Sequence, residues 1–266
     1  MIKTCISFLF LIALAHHSFS QGTDKEFQKL KRQVQKELEL LAKYNYTDYP
    51  NLDPEAYSEQ TALKLVKLLS YKQSRTLNTK DFTNLRLSSQ LNNGFKIRIF
   101  SFSFHMSGME GDVPYSVIQW CDKNGNCRAY NISNNFNCWF NDIYKLKSKS
   151  GPLYLLLGGG PSGISFNYNI AYVIKIDSTK LSTSYKAFVN RSNIRLPYTD
   201  MKFNPKTQVL ELVYGIEDDK FYYLRHESSK DKAATQKLIN MLSQKEDEAI
   251  CLKFDGKNFV RTSNCK

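Results

Sequence analysis

The sequence predicts a mainly β fold: an antiparallel meander forming a sandwich or barrel-like core, preceded by an N-terminal helical pair. Three observations predict it. Apolar residues recur at helical intervals from residue 23 to about Gln73 and then stop. After Thr79 about a dozen short apolar segments follow one another, separated by Gly, Asn, Asp or Pro, at the spacing of all-β folds. Between them, Phe95 to Ile132 reads as a strand, a loop and a hairpin turning on Asn124-Gly125. A small propeller ranks second, because residues 95–262 span about four ~42-residue blades but repeat no blade motif. An outer-membrane barrel ranks lower, since most of the strands fall short of the ~9–11 residues such a barrel needs.

Residues 1–20 read as an export signal. Lys3 supplies the positive start, Cys5 to Ala15 the apolar run, and Ser18-Phe19-Ser20 a small-x-small cleavage site. The run is about half the ~20 residues of a membrane-spanning helix, and no later stretch could span a bilayer. The expected address is secreted or periplasmic. An N-terminal helical segment then occupies 21–80 and an antiparallel β domain 81–266, with a charged helical insertion near 229–247.

The first helix is expected over 23–44. Thr23 and Glu26 have capping-box spacing, and Phe27, Leu30, Val34, Leu38 and Leu41 share a face. A second starts at Asp53, with Pro54 in its first turn, and buries Tyr57, Leu65, Leu68 and Leu69. The two pair antiparallel and cover one face of the β domain. Leu85 and Leu87 open the first strand, and Asn92-Asn93-Gly94 turns it. Phe95, Ile97 and Ile99 then alternate with Lys96 and Arg98, after which the large side chains shift to Phe100, Phe102 and Phe104. That shift means either burial on both faces or a β-bulge near Phe100.

Asp122 to Asn126 is a five-residue hairpin connection that sets Cys121 opposite Cys127. In an oxidising compartment this pair is an expected disulfide. Further strands follow at 142–147, 153–157 and 166–176. Asn204-Pro205-Lys206-Thr207 leads into 209–214, and Glu217-Asp218-Asp219 turns that strand toward 221–225. Ile250 to Phe254, the turn Asp255-Gly256 and Lys257 to Val260 close the chain.

Removal of residues 1–20 takes one lysine from a formal charge of +12 and leaves 36 basic against 25 acidic residues. Such a balance favours anionic partners, an acidic glycan or an envelope protein among them. The basic residues are scattered and show no stripe with stacking aromatics, so nucleic acid is not an expected partner. Five cysteines remain: Cys121, Cys127, Cys138, Cys251 and Cys265. An odd count leaves one thiol unpaired within the chain.

Gly158-Gly159-Gly160-Pro161-Ser162-Gly163 matches G-x-G-x-x-G, but a strand follows it where a dinucleotide site needs a helix. It reads as a turn between two strands, and no cofactor is expected. Only His105 and His226 remain as histidines, without metal-ligand spacing, so no metal site is expected. Catalysis has one candidate region, the loop after the Phe95 strand. There His105 would serve as general base with Glu110 or Asp112 orienting it, or the carboxylates would do hydrolytic acid–base work. Trp120 and Trp139 offer an aromatic platform or, at strand spacing, plain core. Asn45, Asn131 and Asn190 begin glycosylation sequons.

At KIRIFSFSF, SVIQW, NDIYKL, LYLLLGG and KFDGKNFV the chain resembles exported β-rich proteins of Gram-negative bacteria that have no assigned activity. The likeness covers residues 95–262. It implies a periplasmic or surface β-domain and supplies no catalytic residue. The expected function is that of a non-enzymatic binding or interaction module in the cell envelope, with a hydrolase using the 105–112 loop as the alternative.

Overall fold

In the computed structural model the chain forms four stacked layers, a helical pair followed by three antiparallel sheets. The structure describes residues 23–44, 47–93, 95–106, 111–133, 136, 138–161, 167–177, 179–214, 232–243 and 249–265. The expected export signal, Gly94, Glu110, the Asn45 sequon and the 217–225 turn and strand lie outside the described residues.

Helices α1 (Asp24–Ala42) and α2 (Pro54–Leu69) form where their capping signals stand. Thr23 Oγ1 accepts from the Glu26 N–H at 3.3 Å, and the Glu26 carboxylate accepts from the Thr23 N–H at 2.9 Å. The Asp53 carboxylate accepts from the N–H groups of Glu55 and Ala56. The helices run antiparallel: Gln73, just past α2, donates to Asp24 at the start of α1 at 2.7 Å. In mid-helix, Glu37 of α1 accepts from Lys64 and Thr61 of α2 at 2.5 and 3.2 Å. Val34, Leu38, Leu65 and Leu68 form their common apolar face, which packs on the first sheet.

That sheet orders β1 (Arg86–Asn93), β2 (Phe95–Met106), β3 (Gly111–Cys121) and β4 (Cys127–Asn131) consecutively. Of the two readings of the parity change, burial on both faces holds for β2. Its register with β3 is unbroken from Lys96↔Cys121 to Met106↔Gly111. Ile97 and Ile99 pack toward the second sheet, whereas Phe100, Phe102 and Phe104 pack toward the helices. The bulge lies in the neighbouring strand, between Leu87 and Ser89 of β1, which pair with Phe100 and Ile99.

The helix-facing side of β2 also buries Arg98, 3% exposed. Its guanidinium donates to Gln119 Oε1 at 2.9 and 2.5 Å, to the Ser74 carbonyl at 2.5 Å and to the Leu77 carbonyl at 3.3 Å. Gln119 in turn donates to the Leu69 carbonyl, the last of α2, at 2.6 Å. A cation is well placed near a helix C-terminus, where carbonyls lack partners and the dipole is negative. Burial pulls the Arg98 pKa down to about 10, so the charge survives at neutral pH. Arg98 and Gln119 thereby latch the helical pair to the sheet.

The second sheet contains β5 (Trp139–Lys145), β6 (Leu153–Pro161), β7 (Asn167–Ile176), β8 (Leu181–Ser182) and β9 (Asn193–Pro197). It is the middle layer. Tyr154, Leu156, Ile170 and Tyr172 pack toward the first sheet, and Leu153, Leu155, Ala171 and Val173 toward the third. Strands covered on both faces read as nearly continuous apolar runs, which accounts for LYLLLGG. For Gly158 to Pro161 the structure corrects the expected turn, while Ser162 and Gly163 lie outside the described residues: Gly158 and Gly159 lie inside β6, paired with Phe140 and Trp139 of β5 and with Ile170 and Asn169 of β7. A Cβ at Gly158 would stand 2.0 Å from the Trp139 carbonyl oxygen. The glycines therefore admit a close strand approach beside the β5 bulge between Phe140 and Asp142.

Tyr198, at φ 45°, carries the chain from β9 into the third sheet. There β10 (Thr199–Asn204), β11 (Val209–Tyr214), β12 (Ile250–Phe254) and β13 (Phe259–Thr262) form another consecutive meander. Leu210, Leu212, Ile250 and Leu252 face the second sheet, and α3 (Lys232–Leu242) adds Leu238, Ile239 and Leu242 to the same core. The three sheets are open in strand order and none closes into a barrel, so the core is a layered sandwich.

Candidate functional site

At the end of β2, His105 and Asp112 are register partners. His105 Nδ1 lies 3.1 Å from Asp112 Oδ1, with the two side chains 65% and 50% exposed. A carboxylate on Nδ1 sets the imidazole tautomer and leaves Nε2 to solvent, the arrangement that orients a general base. Water reaches both groups freely. Glu110 lies outside the described residues. Among the described residues no group of three His, Cys, Asp or Glu is placed to hold a metal ion.

Cys121 and Cys127 face each other at the head of the β3–β4 hairpin and form a disulfide, with Cα atoms 4.0 Å apart. A second disulfide joins Cys251 to Cys265, and Cys138 is a buried free thiol. Burial pushes that thiol far up, so it stays protonated. Trp120 is 4% exposed between the first two sheets, a core position rather than a platform. Asn131 is 6% exposed and its Oδ1 accepts from the Ser133 N–H, whereas Asn190 is exposed.

The chemistry that sequence reasoning missed lies at one end of the second and third sheets. Alternate turns of an antiparallel meander emerge at the same end, so the β10–β11 and β12–β13 turns are neighbours. The β5–β6 turn joins them: the Lys147 N–H donates to Gln208 Oε1 at 2.7 Å and the Lys149 N–H to the Gly256 carbonyl at 3.0 Å. Between the three turns lies a cleft of about 610 Å³. Lys147, Lys149, Lys206 and Lys253 line it, and Asp255 is the one acid among its described lining residues.

Gln208 builds the floor. It is 5% exposed and holds φ 60°, a left-handed conformation that costs a non-glycine residue about 1–2 kcal/mol. Its side chain offsets that cost by linking two turns, accepting from Lys147 and donating to the Pro205 carbonyl at 2.8 Å. Asn204 Oδ1 accepts from the N–H groups of Lys206 and Thr207, fixing the turn that presents Lys206. The Asp255 carboxylate is turned into its own hairpin. It accepts from the N–H groups of Asn258 and Lys257 at 2.7 and 2.8 Å. These donors, Asn258 foremost, together with nearby Lys149, hold its pKa below the usual carboxylate range.

All four lysines are exposed, and none forms an ion pair among the described residues. Four cations against one occupied carboxylate leave the cleft strongly positive, with Thr207, Thr262 and Asn264 as neutral hydrogen-bonding groups at its wall. Such a lining suits an oxyanion-bearing ligand. The only sequence signal was a lysine in or beside each of three turns. Lys147 and Lys206, 59 positions apart, carry no local sign that they converge. Comparison with known protein families, with curated proteins and with solved structures finds no match.

Proposed function

We propose that this protein is exported to the cell envelope and works there as a non-enzymatic binding module that holds an anionic ligand in the four-lysine cleft. The observation that carries this reading is the convergence of Lys147, Lys149, Lys206 and Lys253 on one cleft where Asp255, the one acid among its described lining residues, already has backbone partners. Two disulfides fit an oxidising compartment, and no helix among the described residues is long and apolar enough to cross a membrane. Titration with a soluble polyuronate, followed by calorimetry, tests the reading. Exposed charge pairs contribute about 0.5 kcal/mol each, so replacing all four lysines by alanine is expected to weaken binding about 30-fold. Unchanged affinity in that variant would sink it.

The His105–Asp112 contact supports a second reading, a hydrolase working from the β2–β3 tip. Its test is a substrate screen of wild type against His105→Ala. Turnover that vanishes in the variant supports it, and equal turnover removes it.

A further inference from the structure

We propose that the ligand is a linear acidic polysaccharide that lies along β13 and fills two clefts at once. This rests on the reading of the lysine cleft as a binding site. A second cleft, of about 550 Å³, opens between α3 and the β13 side of the third sheet. Lys186, Lys237 and Arg261 line it, and its described lining residues include no acid.

Strand β13 is the common wall. Asn258 to Arg261 line the second cleft, while Thr262 and Asn264 line the first. In the β12–β13 register Lys253 of the first cleft stands directly across from Val260 of the second. No acidic residue occurs from Asn258 to Asn264, so no fixed negative charge on that segment interrupts the path. At about 3.3 Å per residue the wall runs for roughly 20 Å. A small anion satisfies one cleft only, whereas a chain with an acidic group on successive sugars reaches the cations of both clefts.

Neutral side chains decide the class of polymer. Thr207, Thr262, Asn264, Asn190 and Asn258 offer partners for sugar hydroxyls. Single-stranded nucleic acid needs exposed aromatic rings for its bases, and the two aromatics among the described lining residues, Phe254 and Phe259, are 4% and 1% exposed. A polysaccharide needs no such platform when charge and hydroxyl contacts hold it.

The test compares a uronate disaccharide, a long polyuronate and oligothymidylate on wild-type protein and on two variants, Lys186→Ala/Lys237→Ala and Lys147→Ala/Lys206→Ala. All four positions are exposed, so both variants are expected to fold. Occupying a second linked site raises avidity, and the polyuronate is expected to bind roughly 100-fold more tightly than the disaccharide. Lys186→Ala/Lys237→Ala should lose that gain while keeping the disaccharide affinity, and Lys147→Ala/Lys206→Ala should weaken both. Equal binding of disaccharide and polymer, or a second-cleft variant that holds the polymer like wild type, overturns the two-cleft proposal and leaves the lysine cleft standing. Oligothymidylate binding as tightly as polyuronate overturns the assignment to a polysaccharide. Failure of both uronates to bind overturns the anion-binding reading itself.

Discussion

Replacing Cys251 and Cys265 by alanine should damage ligand binding, whereas the same change at Cys121 and Cys127 should not. The Cys251–Cys265 bond spans 14 residues and encloses the β12–β13 hairpin, whose strand pairing ends at Cys251↔Thr262. Beyond Thr262 the disulfide carries the chain past Asn264, on the wall of the lysine cleft. The Cys121–Cys127 bond spans 6 residues in the first sheet, remote in the layer order from that cleft. Chain-entropy arithmetic assigns about 3 kcal/mol to the longer loop and about 2.3 kcal/mol to the shorter, so the two variants lose similar stability. Their binding should differ: released from the wall, Asn264 and its neighbours leave the cleft and polyuronate affinity falls several-fold in the Cys251/Cys265 variant alone. Urea unfolding gives the first quantity and calorimetry the second. Equal affinity in the two variants would refute the role assigned to the second disulfide.

Arg98→Met takes the donor from Gln119 Oε1 and from the Ser74 and Leu77 carbonyls, and should cost about 3 kcal/mol in urea unfolding. Combined with Gln119→Leu it should cost less than the sum of the single changes, and strict additivity would deny the latch. Gly158→Ala drives a Cβ into the Trp139 backbone and should cost about 3 kcal/mol or abolish folding. Gly111→Ala meets nothing within 4 Å and should cost about 1 kcal/mol, for its φ of 70° alone. Asp177 and Asp255 have depressed pKa values, the first through the Thr179 and Lys180 N–H groups and the second through those of Asn258 and Lys257. Their contribution is complete above the unfolded carboxylate pKa of about 4 and is lost as pH falls through the lower folded values. The urea midpoint should therefore drop below about pH 4, and less so in Asp177→Asn/Asp255→Asn.

What was legible in the sequence is what short segments decide. The Thr23–Glu26 box, Asp53-Pro54 and the Asp122–Asn126 connection each bring their own hydrogen bonds, so spacing alone located them. The faces of β2 were ambiguous because both are covered, one by the second sheet and the other by the helices, and the bulge lies in β1. The glycine run resembled a turn because glycine serves turns and close strand approaches alike; only the Trp139 carbonyl distinguishes them. His105 and Asp112 were close enough in sequence to be nominated together, and the register joins them. The lysine cleft depends on which ends of two sheets meet, a tertiary fact with no local trace.

The most direct test of the lysine cleft is the affinity of the intact chain for a polyuronate, measured between about 0.01 and 0.15 M salt on wild type and on the variant with alanine at Lys147, Lys149, Lys206 and Lys253. Wild type is expected to bind tightly and to weaken steeply with salt, and the variant to bind about 30-fold more weakly with a shallower salt dependence. Binding that ignores both salt and the four lysines would contradict the assignment of the cleft.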